Sequence, residues 1–193
     1  MRDGEGELEF GSVILTRRLI LRHPGLKDRD AIGRLASNRR VAENLAAAPG
    51  DCGGTAFVLV ERESGAVIGS AGHGPIPDRP GAAEIACWVG EPYWGRGFAT
   101  EASQALIDHV FAADDVLVLW CSNRPSNVRA RRVIEKCGFQ FRGPGMVRSP
   151  ALNIAVPVER FLLDRRNWVS LKSWGAPPIP RKERRDAPRN NAA

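Results

Sequence analysis

Six consecutive apolar residues, Val116 to Cys121, stand between two stretches of helical period, and that arrangement leaves few folds open to the chain. Ahead of the run, Phe98, Ala102, Ala105, Leu106, His109 and Val110 share one helical face. Behind it, Ala130, Val133, Ile134 and Cys137 recur at i, i+3, i+4 and i+7, with Ser126 or Asn127 as cap and Gly138 as stop. A short strand apolar on both faces, entered and left through helices, belongs beside a parallel neighbour, because a crossover helix is what joins parallel strands. One parallel β-α-β step is therefore expected at the centre of the molecule.

The remaining elements follow from period and punctuation. Val13 to Arg22 reads as a strand, and Lys27 to Leu45 as one or two helices opened by Asp28 or Asp30 and stopped by Pro49. Thr55 to Glu61 and Ala66 to Ala71 flank Arg62-Glu63-Ser64-Gly65 as a hairpin, Ala83 to Val89 forms a third strand, and Phe139 to Phe141 with Ile154 to Leu163 close the sheet. The expected fold is a single α/β domain over residues 12–168 with a mixed sheet. An acidic arm, 1–11, precedes it. A basic, Pro-rich tail, 169–193, follows and is expected to be disordered, since its last nineteen residues hold one branched aliphatic side chain, Ile179.

Composition excludes several functions. With 43% hydrophobic and 26% charged residues the chain is globular in character. Its longest apolar run is far short of the about 20 residues that cross a bilayer, and the N-terminus lacks a secretory apolar core, so no membrane partner and a cytoplasmic location are expected. Cys52, Cys87, Cys121 and Cys137 form no CxxC or Cys/His cluster, which gives no metal site and no disulfide framework. The net charge of +6 reads as a solvated basic surface ahead of a nucleic-acid partner.

Chemistry concentrates between Glu84 and Ala102, where a strand runs through Gly95-Arg96-Gly97 straight into a helix. Glycine at 95 and 97 lets oxygens approach the main chain, the unpaired amides of the first helical turn point outward, and the helix dipole with the Arg96 cation favours an anion such as a diphosphate. A Walker A loop would need Gly-Lys-Ser/Thr where Gly97-Phe98-Ala99 stands. A dinucleotide fingerprint would need its acidic residue after the second strand, whereas Asp114 and Asp115 precede it.

Four segments in order, Leu15 to Arg22, the Gly69 strand, Glu84 to Ala102 and Asn127 to Phe139, make the chain similar to the GNAT N-acetyltransferase superfamily, and particularly to its ribosomal-protein N-terminal (alanine/serine) acetyltransferase branch. The resemblance implies a GNAT-like fold, a sheet splayed in a V between two parallel strands, and acetyl-CoA as donor. It implies that the pyrophosphate lies on the amides of Gly95, Arg96, Gly97, Phe98, Ala99 and Thr100, with the pantetheine along the strand that ends at Trp88 and Val89. Trp94 takes the first position of the family's Gln/Arg-x-x-Gly-x-Gly/Ala loop. Asn127 is a cap or a ligand of the pantetheine amide, and Arg129, Arg131 and Arg132 crowd a helix start where their charge suits an anion; Arg132 is the residue assigned to the coenzyme. The family's serine three after the asparagine is Ala130 here, and the only tyrosine, Tyr93, precedes the loop, so the usual general acids are missing.

Acetyl transfer needs an amine to lose a proton, so a base helps, whereas a thiolate leaves tolerably without an acid. Glu84, a carboxylate in an apolar strand, is the expected base, with Asn127 beside it in the catalytic set; a solvent-facing edge glutamate is the plain alternative. His73, between two glycines, is the alternate base. His109, Cys87, Cys121 and Cys137 read as core. The acceptor, a protein N-terminal amine or a small molecule, would be read by residues 27–48 and 142–153; a homodimer stays open. A non-catalytic acyl-CoA sensor is the competing class, and nucleic-acid binding through the tail the third.

Overall fold

The computed structural model describes residues 12–45, 54–112, 115–149 and 154–175. The acidic arm, Cys52, the loop at 150–153 and the tail beyond 175 lie outside the described residues. The elements are β1 (Ile14–Leu15), β2 (Leu19–Arg22), α1 (Arg29–Ala36), α2 (Arg39–Ala42), β3 (Thr55–Glu61), β4 (Val67–Pro75), β5 (Ala82–Val89), α3 (Phe98–Ala112), β6 (Val118–Asn123), α4 (Val128–Lys136), β7 (Gln140–Ser149), β8 (Ile154–Asp164) and α5 (Arg165–Gly175). Eight strands form one sheet in the order β1-β2-β3-β4-β5-β6-β8-β7, antiparallel except for β5 against β6. The expected mixed α/β sheet with its parallel step is present.

Four departures have identifiable physical causes. Residues 13–22 make two strands, because the Thr16 amide donates to the Leu19 carbonyl at 3.0 Å and Thr16 Oγ1 accepts from the Leu19 amide at 2.8 Å, folding the segment into a turn. Asp28 does not cap α1 with its side chain; it accepts from the Gly25 amide and both Arg22 Nη atoms, and the Arg22 hydrogen bonds pull its carboxyl down to about 2. β7 runs to Ser149, well past Phe141, since pairing with β8 holds a sequence too exposed to show apolar alternation. The domain's last helix passes the expected boundary at 168. Trp168 is buried and gives its indole N–H to Asp108 Oδ1 at 2.8 Å, and Lys172 Nζ reaches the same carboxylate at 2.7 Å, so 169–175 continue α5.

The sheet has two chemically different faces near its centre. Ala71, Ile85, Cys87, Val89, Leu119 and Cys121 pack with Phe98, Ala102, Leu106, Ile107 and Val110 of α3 in one apolar cluster. By the period of two, the intervening residues of β5 and β6, Glu84, Ala86, Trp88, Trp120 and Ser122, face the other way. Phe98 anchors the start of α3; burying such a ring contributes about 1.5–3 kcal/mol.

Candidate active site

The two parallel strands touch only briefly. β5 pairs with β6 at Ala82 with Val118, Ala83 with Leu119 and Glu84 with Trp120, and there the ladder stops, although β5 continues to Val89 and β6 to Asn123. β5 stays bonded to β4 up to Val89, so from Ile85 onward its opposite edge has no strand partner among the described residues. This is the V-shaped splay. Glu84 sits at its apex, the α3 entry loop on one arm and Asn127 on the other.

The loop on the first arm is held open by its glycines. Gly95 and Gly97 have φ of +76° and +80°, a region that costs other L-residues about 1–2 kcal/mol, and nothing lies within 4 Å of where a Gly95 Cβ would be. The Trp94 amide is bonded to Glu91, and the Glu101 amide begins the helical ladder on Gly97. Between them, among the described residues, none of the main-chain amides from Gly95 to Thr100 donates to a protein acceptor. These donors lie at the helix start, where the helix dipole adds about half a positive charge.

Arg96 contributes its amide but not its charge. The cation expected to favour an anion in the loop is paired with Glu61 at 2.8 Å and stacked over Phe98 at 4.7 Å. Phe98 is core by its side chain, whereas Ala99 and Thr100 are half-buried in the first turn. Trp94 gives its indole N–H to the Val89 carbonyl at 2.6 Å, so that carbonyl is already engaged and the loop is tied to the end of β5. Trp88 is buried on the face opposite α3, in register with Ser70.

On the second arm, Asn127 is the cap of α4: its Oδ1 accepts from the Ala130 amide at 3.1 Å, and Asn123 Nδ2 reaches its carbonyl at 3.3 Å. Arg132 is exposed on α4, Arg131 is spent on Glu135 and Glu159, and Arg129 lies 5.4 Å from the Trp94 ring, linking the two arms.

Glu84 is half-buried and accepts from Ser122 Oγ at 3.0 Å on the face away from α3. His73 is on the other face. It lies within β4, in register with Ile85 and with its ring 5.9 Å from His109, and both histidines pack against Phe57. Burial, and then the neighbouring histidine, lowers the pKa of each below 6.5. His73 thus lies on the opposite face of the sheet from Glu84. Cys87, pushed up to about 11 by burial, Cys137, pushed up to about 12, and Cys121, raised well above the usual thiol value, are core thiols with no nucleophilic character.

Two groups went unread in the sequence. Ser122 was legible only through strand alternation, as a polar residue at the end of an apolar run. Arg18, which binds Glu101 and the Arg96 carbonyl, needed the tertiary contact to be seen.

With this geometry in place, comparisons with known proteins are informative. Residues 18–140 match the family described as the Acetyltransferase (GNAT) domain. An uncharacterized N-acetyltransferase p20 of Bacillus licheniformis is 30% identical over 113 residues, 58% of this chain, and the match spans 64% of that relative's length. Among solved structures, a GNAT-family acetyltransferase of Bacillus anthracis superposes with a TM-score of 0.67 at 20% identity, over 80% of this chain and 99% of that one. The ribosomal-protein-S5-alanine acetyltransferase of Vibrio fischeri gives 0.66 at 16% identity over 81% and 98%. Aminoglycoside acetyltransferase AAC(6')-Ib, solved with coenzyme A, gives 0.64 at 20% identity over 80% and 99%. The structural likenesses establish the shared fold, and the sequence match over 18–140 establishes the kinship: the chain belongs to the GNAT acetyltransferase family.

Proposed function

We propose that this protein transfers the acetyl group of acetyl-CoA directly to a primary amine, with the N-terminal amine of a protein or peptide as acceptor. The observation that carries the reading is the row of unpartnered amides from Gly95 to Thr100, set beside the strand edge that β5 leaves bare after Glu84. A pyrophosphate suits the amides and the helix dipole. A pantetheine, which has its own amide donors and acceptors, suits an edge that has lost its strand neighbour. Acetyl-CoA bound in this way supplies a thioester whose carbonyl carbon is open to an amine.

Glu84 then stands at the apex, where the thioester end of such a ligand would lie. Its carboxylate takes the proton that the amine nitrogen gives up as it bonds to the carbonyl carbon, directly or through one water. Ser122 fixes one carboxylate oxygen by donating to Oε1, leaving Oε2 for the proton. The carbon–sulfur bond breaks with its electron pair on sulfur, a thiolate whose conjugate acid has a pKa near 8.5 and which helix N-termini and main-chain donors stabilise. No cysteine takes part. The neighbour bound to coenzyme A and the neighbour acting on a ribosomal protein support the donor and the acceptor class respectively.

Calorimetry with acetyl-CoA, followed by mass spectrometry of a peptide mixture incubated with labelled acetyl-CoA, tests the reading. Heat on binding and label on peptide N-termini are expected. Binding without label on any amine would make the protein an acyl-CoA sensor; no heat at millimolar acetyl-CoA would remove the coenzyme altogether.

A further inference from the structure

The face on which an acceptor would meet Glu84 carries two cations that have no acidic partner among the described residues. Arg160 stands directly opposite Ser122 where β6 and β8 run antiparallel. Opposite residues point to the same side of a sheet, so Arg160 shares the face of Ser122 and of Glu84, to which Ser122 is bonded. Arg160 is exposed, and its side chain runs away from Ser122 across Gly145 of β7, where a Cβ would stand 2.5 Å from Nε. Its described hydrogen bond, from Nη2 to the Met146 carbonyl, is stretched to 3.5 Å, and it joins no ion pair among the described residues. Arg79, in the turn before β5, is likewise exposed and without an ion pair there. Its guanidinium lies 5.7 Å from the ring of Trp120, the residue level with Glu84 on β6.

Charge and spacing together indicate what such a face receives. On the β4 side of Glu84 the same face presents Ser70, Gly72 and Gly74, and Arg22 beyond them is committed to Asp28. The uncommitted charge of Arg160 lies on the other side, over β8 and β7, and two free guanidinia attract an anion and repel a polyamine. Neighbouring strands lie about 4.8 Å apart, which puts β7 about 10 Å from β6, and an extended chain gains about 3.3 Å per residue. A peptide whose amine meets Glu84 beside Ser122, and which then crosses β8, brings its third or fourth residue to the Arg160 guanidinium. On the acetyl-transfer reading, we infer that the acceptor is a peptide with an acidic residue at its third or fourth position, and that Arg160 receives this carboxylate. A guanidinium takes a carboxylate through two parallel N–H bonds, a match that a lysine lacks.

The test moves one glutamate through positions two to five of an Ala-Gly-Gly-Gly-Gly peptide, against glutamine at the same positions, on the parent protein, Arg160→Gln and Arg160→Lys. At low ionic strength the KM for glutamate should lie about three- to fivefold below that for glutamine, with the largest ratio at position three or four, since the pair is exposed. R160Q should abolish the difference and R160K keep part of it, and about 0.5 M sodium chloride should shrink it in the parent. Equal KM at every position, a preference that survives in R160Q, or one that peaks at position two or five would overturn the assignment. Faster transfer to spermine than to any of the peptides would overturn the anionic acceptor itself. Calorimetry of the same peptide pairs without acetyl-CoA is independent of turnover: tighter binding of the glutamate peptide that is lost in R160Q supports the inference even if no acetyl group is transferred, and equal binding refutes it. Acetyl-CoA affinity should be the same in R160Q as in the parent; a clear fall would place the guanidinium at the coenzyme and would likewise refute the inference.

Discussion

Arg18 and Glu101 meet twice: the Arg18 amide donates to Oε1 at 2.7 Å and its Nε donates to Oε2 at 2.7 Å. Thr16 Oγ1 adds a third bond to Oε1 at 2.6 Å, and Arg18 Nη1 reaches the Arg96 carbonyl at 2.8 Å. The turn between β1 and β2, distant in sequence, is in this way tied to the first turn of α3 and to the loop that precedes it. Burial alone would raise the Glu101 pKa, but the bonds from Thr16 and Arg18 outweigh it and hold it below the usual value.

Glu101→Ala should therefore loosen the loop as well as the fold. The Arg18 amide and Thr16 hydroxyl lose their acceptor at a half-buried site, a cost of about 1–3 kcal/mol. A lower Tm together with weaker acetyl-CoA binding in calorimetry is expected; a lower Tm with unchanged affinity would show that the clamp is structural only.

Gly97→Ala places a side chain at φ of +80°, with its Cβ 3.4 Å from Arg18 Nη2. A strain of about 1–2 kcal/mol is expected, which the loop relieves by turning its amides away from their common target. Acetyl-CoA affinity should fall about five- to thirtyfold. Gly95→Ala, with open space around its Cβ, meets only the backbone strain and should cost less.

Glu84→Gln keeps the Ser122 contact, since an amide oxygen also accepts, but cannot take a proton. Coenzyme binding should persist while kcat falls about 10²- to 10⁴-fold at neutral pH. Ser122→Ala should give a smaller loss, seen in kcat more than in KM, because the carboxylate remains but swings free.

All three histidines of the chain surround Phe57, with His23 at 5.2 Å, His109 at 5.6 Å and His73 at 6.4 Å between ring centroids. Burial, first, holds His73 and His109 below their unfolded pKa of 6.5. The unfolded chain thus binds protons that the folded one refuses, so the stability these rings contribute is complete above pH 6.5 and is lost as pH falls below it. The slope is at most about 1.4 kcal/mol per pH unit for each histidine. Tm measured between pH 7.5 and 5 should drop, and His73→Phe should flatten the curve.

Cys87, Cys121 and Cys137 are the described free thiols, and burial raises the pKa of each. Alkylation at pH 8 followed by peptide mapping should leave all three unmodified in the folded protein and label them in denaturant, because the thiolate is the reacting species.

Much of this was readable from residue order because it depends on near neighbours. A period of 3.6 on either side of an apolar run implies a crossover and so a parallel pair, and glycines before a helix imply amides left open, whatever the rest of the chain does. β7 and α5 were not readable in the same way. β7 is mostly exposed and acquires its strand form from the ladder with β8, and α5 continues past 168 because Asp108, sixty residues earlier, receives Trp168 and Lys172.

The division runs through the site itself. Residue types and local spacing dictated the acidic side chain at 84, the loop at 95–97 and the capping asparagine at 127, since each answers to hydrogen bonding or steric limits within a few residues. That Glu84 marks the last rung before two strands part, that Arg96 turns to Glu61, and that His73 meets the opposite face of the sheet from Glu84 all depend on register and on which face a side chain meets. Those are set by the packing of distant segments, where one residue of slip reverses every side chain, and no local pattern encodes them.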